Sequence, residues 1–341
     1  MRNDDALGAT IAELTKPGKG ILAADESQPT ITKRFQALGI ESTEETRRQY
    51  RSLLLTTPGA PDHLGGVILF EETLAQRADD GTPLLDVLAK QAIVAGIKVD
   101  KGTTPLPNAD GDLITQGLDG LAERLQGYRK QGARFAKWRE VYAITDRTPT
   151  PLGISANAEV LARYASVCQS EAIVPIVEPE VLIDGAHDIE RSAEVNDAVL
   201  RAVFAALARH KVKLEAIVLK PSMVLPGNKS ARKATPEQVA SATLAVLRRT
   251  VPAAVPTINF LSGGQSPEDA TANLNAMNAM PSRAPWGLSF SYARALQDPV
   301  MRTWGGRTEN VKAAQRAFLD RLRMNSLAVD GKWSADQERA A

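Results

Sequence analysis

Eight short apolar runs, each followed by a stretch with helical patterning, constrain this 341-residue chain more than any other feature. They are Gly20–Asp25, Gly66–Phe70, Ala95–Asp100, Phe135–Ile144, Ile173–Leu182, Leu214–Lys220, Thr257–Gly264 and Trp286–Arg294. Strands alternating with helices build a parallel sheet, because a crossover of helix length is needed to bring the chain back to a parallel neighbour. The count of eight predicts closure into an α/β fold of the (β/α)8 TIM-barrel type, which typically takes about 250 residues and leaves length here for peripheral helices. A doubly wound open sheet is the alternative. No dinucleotide-type glycine pattern follows the first run, which counts against it.

Helix signals fall where this scheme needs them. Thr235-Pro-Glu-Gln238 offers a capping threonine, proline in the first turn and glutamine three residues after the cap, and Ser266-Pro-Glu-Asp269 starts in a similar way. Between the first two strands the pattern predicts helices over Pro29–Leu38 and Thr43–Leu55, broken at Gly39. A long helix is expected over His187–His210 and an outer one over Thr308–Leu327, followed by a polar, mobile tail over 328–341. Without an internal repeat or a low-complexity linker, residues 1–341 parse as one domain.

Composition narrows the function classes. Apolar residues make up 43% and charged residues 24%, and no run approaches the roughly 18 apolar residues of a membrane span. The acidic first ten residues do not read as a secretion signal, and the single Cys168 cannot form an intrachain disulfide, so a cytoplasmic setting is expected. A net charge of +1 gives no reason to expect nucleic acid or an acidic membrane as partner. The three histidines, His63, His187 and His210, lie far apart without metal-ligand spacing, and no metal is expected.

The ionisable residues collect where strands should end. Asp25 closes the first run, Lys98 lies near the end of the third, Lys137 and Arg139 interrupt the fourth, Glu178 and Glu180 fall in the fifth, and Arg294 closes the eighth. The sixth run, Leu214-Glu-Ala-Ile-Val-Leu-Lys-Pro221, reads as a buried strand that ends on Lys220. Taken alone, that lysine is either a solvated end charge or a desolvated amine used as a nucleophile. In a (β/α)8 barrel all these ends meet on one face, where active sites are built. Lys137/Arg139 and Glu178/Glu180 are each spaced by two, so each pair projects to one side of its strand. Five cations against three acids predict a positive mouth suited to an anionic substrate.

The seventh run leads through Leu261-Ser-Gly-Gly-Gln-Ser266 into a capped helix. Glycines admit a phosphate close to the backbone, Ser262 can donate a hydrogen bond, and the helix start adds favourable partial charge. Barrel phosphate sites are often built after strands seven and eight, and Arg294 would supply a bidentate partner.

The runs Gly18-Lys-Gly-Ile-Leu-Ala-Ala-Asp-Glu-Ser27, Gly96-Ile-Lys-Val-Asp-Lys-Gly102, Phe135-Ala-Lys-Trp-Arg139, Ile173-Val-Pro-Ile-Val-Glu-Pro-Glu180, Leu219-Lys-Pro221 and Phe260-Leu-Ser-Gly-Gly-Gln-Ser266 closely resemble class I fructose-bisphosphate aldolases. The likeness extends from about residue 8 to residue 333. It implies a homotetrameric, metal-independent, cofactor-free glycolytic enzyme that splits fructose 1,6-bisphosphate reversibly into dihydroxyacetone phosphate and glyceraldehyde 3-phosphate. By position in the matched motifs, the resemblance implies that Lys220 forms the Schiff base and Glu178 is its acid/base. Asp25 would handle the C4 hydroxyl proton, Lys137 would stabilise charged intermediates, and Glu180 would tune neighbouring protonation. Ser262, Gly263 and Arg294 would bind the C1 phosphate, and Ser27, Thr30 and Lys98 the other end, with Arg34 and Arg139 as weaker carry-overs.

Three features depart from the family pattern. Ala293 stands before Arg294 where glycine is frequent, and Ser222 follows Lys220-Pro221 where asparagine is frequent. The chain ends without the terminal tyrosine of animal members, and Trp333 is no obvious substitute. Another Schiff-base barrel such as a transaldolase, and a barrel serving as a binding scaffold, are the alternatives kept.

Overall fold

The computed structural model describes residues 3–281 and 284–340. Its central sheet is a closed barrel of eight parallel strands: β1 (Gly20–Ala24), β2 (Leu64–Leu69), β3 (Val94–Lys98), β4 (Phe135–Tyr142), β5 (Val174–Val181), β6 (Val218–Leu219), β7 (Thr257–Phe260) and β8 (Gly287–Tyr292). Neighbours in sequence are neighbours in space, and β8 closes on β1 through Ile21 and Ser291. Each strand lies inside or across the run assigned to it, and the expected (β/α)8 closure is what forms.

The strands are buried almost throughout, because helices cover their outer faces and side chains fill the inside. Ile21, Ile68, Val94, Phe135, Val174 and Val218 belong to an inner cluster that also takes in Leu7, Ile11 and Leu14 from an N-terminal helix, Asn3–Leu14. Packing here demands glycine, most tightly at Gly96. A Cβ on Gly96 would stand 2.1 Å from the Phe135 ring, so the ring occupies the space a side chain would need.

Capping follows the sequence signals. Thr235 and Gln238 exchange both bonds of a capping box, and the Ser266 hydroxyl accepts from the Asp269 amide. The long helix after β5 is Ile189–Arg209, capped by Asp188. Gly39, at φ +71°, ends the first of the two helices after β1, Gln28–Gln36, before the second, Glu44–Leu55.

Three local features differ from expectation. The run Leu214–Lys220 is not one strand: Leu214–Ala216 is a 3-10 turn, and only Val218–Leu219 pairs. The Gln169 side chain explains this, since it bonds the Lys213 amide and the carbonyls of Lys213 and Ala216, giving that backbone partners outside any sheet. After β3 an antiparallel hairpin, Thr103–Pro105 with Leu113–Thr115, has no counterpart in the sequence reading. The third lies in the segment 328–341. The outer helix runs Val311–Val329, and a short helix Ala335–Ala340 follows. Glu338 pairs there with the buried Arg321 and accepts from Trp333 Nε1 at 2.9 Å. That segment has specific contacts where only a polar tail was foreseen.

Candidate active site

The strand ends deliver the charged side chains to one cavity of about 550 Å3, lined by Asp25, Ser27, Thr30, Arg34, Lys98, Lys137, Arg139, Glu178, Glu180, Lys220, Ser262, Gly263 and Arg294. Every residue singled out from the sequence borders it. The period of two is what achieves this on β4 and β5: Lys137 and Arg139 face the cavity, while Trp138 turns outward against Tyr164, ring centroids 5.4 Å apart.

At the floor, Lys220, Glu178, Lys137 and Asp25 are between 3% and 8% exposed. Lys220 Nζ lies 3.3 Å from Glu178 Oε1, and Lys137 Nζ lies 3.5 Å from Glu178 Oε2, so one carboxylate bridges two amines. Lys137 Nζ also meets Asp25 Oδ2 at 2.7 Å and Asp100 Oδ2 at 3.8 Å. Lys98 pairs with Asp100 at 2.6 Å, and Arg139 with Glu180. Burial such as this penalises isolated charges, and mutual pairing offsets that cost.

The electrostatics follow from these contacts. Burial pushes the Asp25 carboxyl up, but Lys137, with Lys220 and Lys98 behind it, outweighs burial and holds it at about 2. Burial would likewise lower the Lys137 ammonium, yet Asp25, Glu178 and Asp100 raise it well above the ordinary lysine value. Asp25 is therefore an anion and Lys137 a cation across neutral pH.

The positive excess expected at the mouth is not on the floor. Three amines there, Lys98, Lys137 and Lys220, face three carboxylates, Asp25, Asp100 and Glu178. It lies at the rim, where Arg294 and Lys33 are exposed and make no side-chain ion pair among the described residues. Arg34 is different, since its guanidinium is clasped by Glu26 and by Asp298 Oδ1 at 2.8 Å.

The two rim ends are built on helix starts. Gly263 and Gly264 sit at φ +52° and +82°, a turn that glycine makes readily, and it delivers the chain to the helix Pro267–Ala279 capped by Ser266. A Cβ on Gly264 would lie 3.5 Å from Arg294 Nη2, so the guanidinium stands over this turn. Ser262 beside it is 5% exposed. Ala293, the departure before Arg294, has φ −103° and ψ −84°, outside the left-handed region that favours glycine, and it packs on the inner cluster. At the other end Ser27 precedes the helix Gln28–Gln36, with its hydroxyl 3.1 Å from that of Thr30.

Sequence reasoning missed Glu26, Lys33, Asp100 and Ser291. Two had a usable signal: Asp100 lies two residues past Lys98, and Lys33 one helical turn past Thr30. Glu26, locked by Arg34, Arg51 and Gln297, and Ser291 on β8 had none. Among the described residues no group of three or more His, Cys, Asp or Glu side chains is arranged to hold a metal ion.

Comparison with known proteins gives the family. Residues 6–341 match the family described as fructose-bisphosphate aldolase class-I. The chain is 55% identical over 332 residues to fructose-bisphosphate aldolase 6, cytosolic, of Arabidopsis thaliana, covering 97% of this chain and 92% of that one. It is 54% identical to the fructose-bisphosphate aldolase of Drosophila melanogaster at the same coverage. Among solved structures, the aldolase of Plasmodium falciparum, crystallised with TRAP and a small-molecule inhibitor, superposes with a TM-score of 0.96 at 50% identity, over 98% of this chain and 96% of that one. The chain belongs to the class I fructose-bisphosphate aldolase family.

Proposed function

We propose that this enzyme cleaves fructose 1,6-bisphosphate reversibly into dihydroxyacetone phosphate and glyceraldehyde 3-phosphate through an imine on Lys220. The observation that carries the reading is the buried Lys220–Glu178 contact of 3.3 Å at the floor of a cavity lined at one end by Ser262, Gly263 and Arg294 and at the other by Ser27, Thr30 and Lys98.

Lys220 Nζ attacks the C2 carbonyl of the open-chain sugar. Glu178, within reach of that nitrogen, gives the proton that lets water leave and takes it back when the imine is hydrolysed. A protonated imine is a better electron sink than a ketone, so the C3–C4 electron pair flows to C2 and nitrogen as the C4 hydroxyl loses its proton. Asp25, ionised at neutral pH, receives that proton. A carboxylate held at about 2 is a weak base, so the transfer needs the electron pull of the iminium to proceed. Lys137, fixed between Asp25 and Glu178, offsets negative charge as it moves between them. Glyceraldehyde 3-phosphate leaves, Asp25 returns its proton to solvent, the enamine takes a proton at C3 from solvent water, and hydrolysis of the iminium releases dihydroxyacetone phosphate and frees the Lys220 amine.

Ser262, Gly263 and Arg294 take the C1 phosphate in this reading, and Ser27, Thr30 and Lys98 take the C6 phosphate. Arg139 and Glu180 form a pair beside the chemistry, and Arg34 stiffens the C6 end through Glu26. Anion sites at both ends favour a bisphosphate over the singly phosphorylated substrates of a transaldolase. The chemistry calls for no metal or other cofactor, the family likeness supports a homotetramer, and the cytosolic names of relatives support a cytoplasmic location.

Borohydride added with dihydroxyacetone phosphate is expected to fix the three-carbon unit on Lys220, read by peptide mass. Labelling elsewhere, or none, sinks the imine. Chelator is expected to leave cleavage unchanged, and sedimentation tests the tetramer.

A further inference from the structure

The strand that carries the nucleophile is the least secured in the barrel. β6 has two residues, pairing with β5 at Ile176–Val218 and Val177–Leu219 and with β7 at Leu219–Ile258 alone. The Lys220 amide still donates to the Val177 carbonyl at 2.8 Å. A regular parallel ladder would next send an N–H from residue 179 to the Lys220 carbonyl, but residue 179 is proline and has none; on the opposite side the Pro221 carbonyl still accepts from the Leu261 amide at 3.2 Å. The ladder therefore fails at the level of Glu178 and Lys220. Contact between the two segments resumes further out, where Asn228 donates to Ile183 O at 2.7 Å and Gly227 to His187 O at 2.8 Å.

Among the described residues, one side chain closes that gap. The Ser222 hydroxyl accepts from the Val181 amide at 2.8 Å and donates to the Val181 carbonyl at 2.9 Å, and Ser222 is 5% exposed. A single oxygen thus replaces the missing ladder bonds, one residue past Glu180 on one side and two past Lys220 on the other. Lys220 N to Val177 O and Ser222 Oγ to Val181 bracket the Glu178–Lys220 contact.

The geometry points to Ser222 as a positioning residue for the imine chemistry, its hydroxyl holding the end of β5 at the spacing from Lys220 that proton transfer requires; this rests on the roles given above to Lys220 and Glu178. Proton transfer needs donor and acceptor within about 3 Å, and a misplacement of about 1 Å can cost about a hundredfold in rate. The hydroxyl serves the Val181 backbone as acceptor and donor at once, so the requirement is for that pair of functions rather than for serine.

The test uses the purified full chain and two readouts: steady-state cleavage of fructose 1,6-bisphosphate, and the rate at which borohydride captures dihydroxyacetone phosphate on Lys220. Ser222→Ala is expected to lower kcat by about ten- to a hundredfold with KM within about threefold, and to slow capture by a similar factor. Ser222→Asn and Ser222→Thr, which each keep a donor and an acceptor, are expected to restore most of both rates. An alanine variant that melts earlier but keeps the wild-type kcat and capture rate would make the hydroxyl purely structural and overturn the inference. Should Ser222→Ala not fold, Ser222→Cys, similar in shape but a weaker donor and acceptor, takes its place under the same criterion. Absence of capture on Lys220 in the wild type fells the imine and this inference together. Equal capture in wild type and variant fells only the role of Ser222.

Discussion

The floor and the rim of one cavity use charge in opposite ways. At the floor Lys137, Glu178, Lys220 and Asp25 are buried and paired with one another, and the charges of Asp25 and Lys137 are fixed by their neighbours. At the rim Arg294 and Lys33 are exposed and unpaired among the described residues, so their charge is free to meet an incoming anion. Chemistry needs groups whose protonation is set in advance, and first capture of a phosphate is favoured by exposed cations not already engaged. Floor substitutions should therefore strike kcat and rim substitutions KM.

The largest effect is expected from Lys220→Ala, which should abolish cleavage and borohydride capture while leaving phosphate binding, measured by calorimetry, in place. Loss of binding as well would break the separation of floor from rim. Glu178→Gln keeps the shape and removes the proton shuttle; kcat is expected to fall by about 10²–10⁴ with little change in KM. Arg294→Ala removes a charge-assisted contact of about 1.5–3 kcal/mol, so KM should rise about ten- to a hundredfold while kcat changes less. A fall in kcat alone would move Arg294 into the chemistry.

The floor should also show itself in acid. Asp25 is held at about 2 against an ordinary value of 3.8, so its pairing contributes stability that is fully present above about pH 4 and is lost as pH falls through about 2. At about 1.4 kcal/mol per pH unit that amounts to about 2 kcal/mol. Melting followed from pH 5 to pH 2.5 should fall less steeply in Asp25→Asn than in the wild type, and equal slopes would deny the pairing its weight. The smallest effect is expected from Lys33→Ala, a rise in KM of about two- to fivefold that fades in high salt, because an exposed charge is screened.

Much of the site was legible because its signals are local. Lys137 and Arg139, or Glu178 and Glu180, need only the two-residue period of a strand to be placed on one side, and the Ser262–Gly264 turn announces itself by its glycines and the helix cap behind it. The run ending at Lys220 was legible as a strand end but not in its length, since the two-residue β6 and the turn before it depend on Gln169 reaching across from another helix. Glu140 shows the same limit. Its spacing from Trp138 puts it on the outer face of β4, where a glutamate would ordinarily be solvated. The fold buries it completely, bonds it to Trp138 Nε1 at 2.7 Å, and burial pushes its carboxyl up to about 8.

By itself the sequence determined the alternation of strands and helices, the closure it implies, and the collection of amines and carboxylates at one end of the barrel. Periodicity, caps and short motifs act within a few residues and can be read in order. Tertiary structure alone decided which charges cancel: Lys137 against Asp25 and Glu178, Arg34 against Glu26 and Asp298, Arg294 against none among the described residues. It alone turned Ser222 from an unexplained departure into the link between two strand ends. All but the Arg34–Glu26 pair join residues tens to hundreds of positions apart, and the free energy of a buried charge or hydroxyl depends on the partner that packing brings to it.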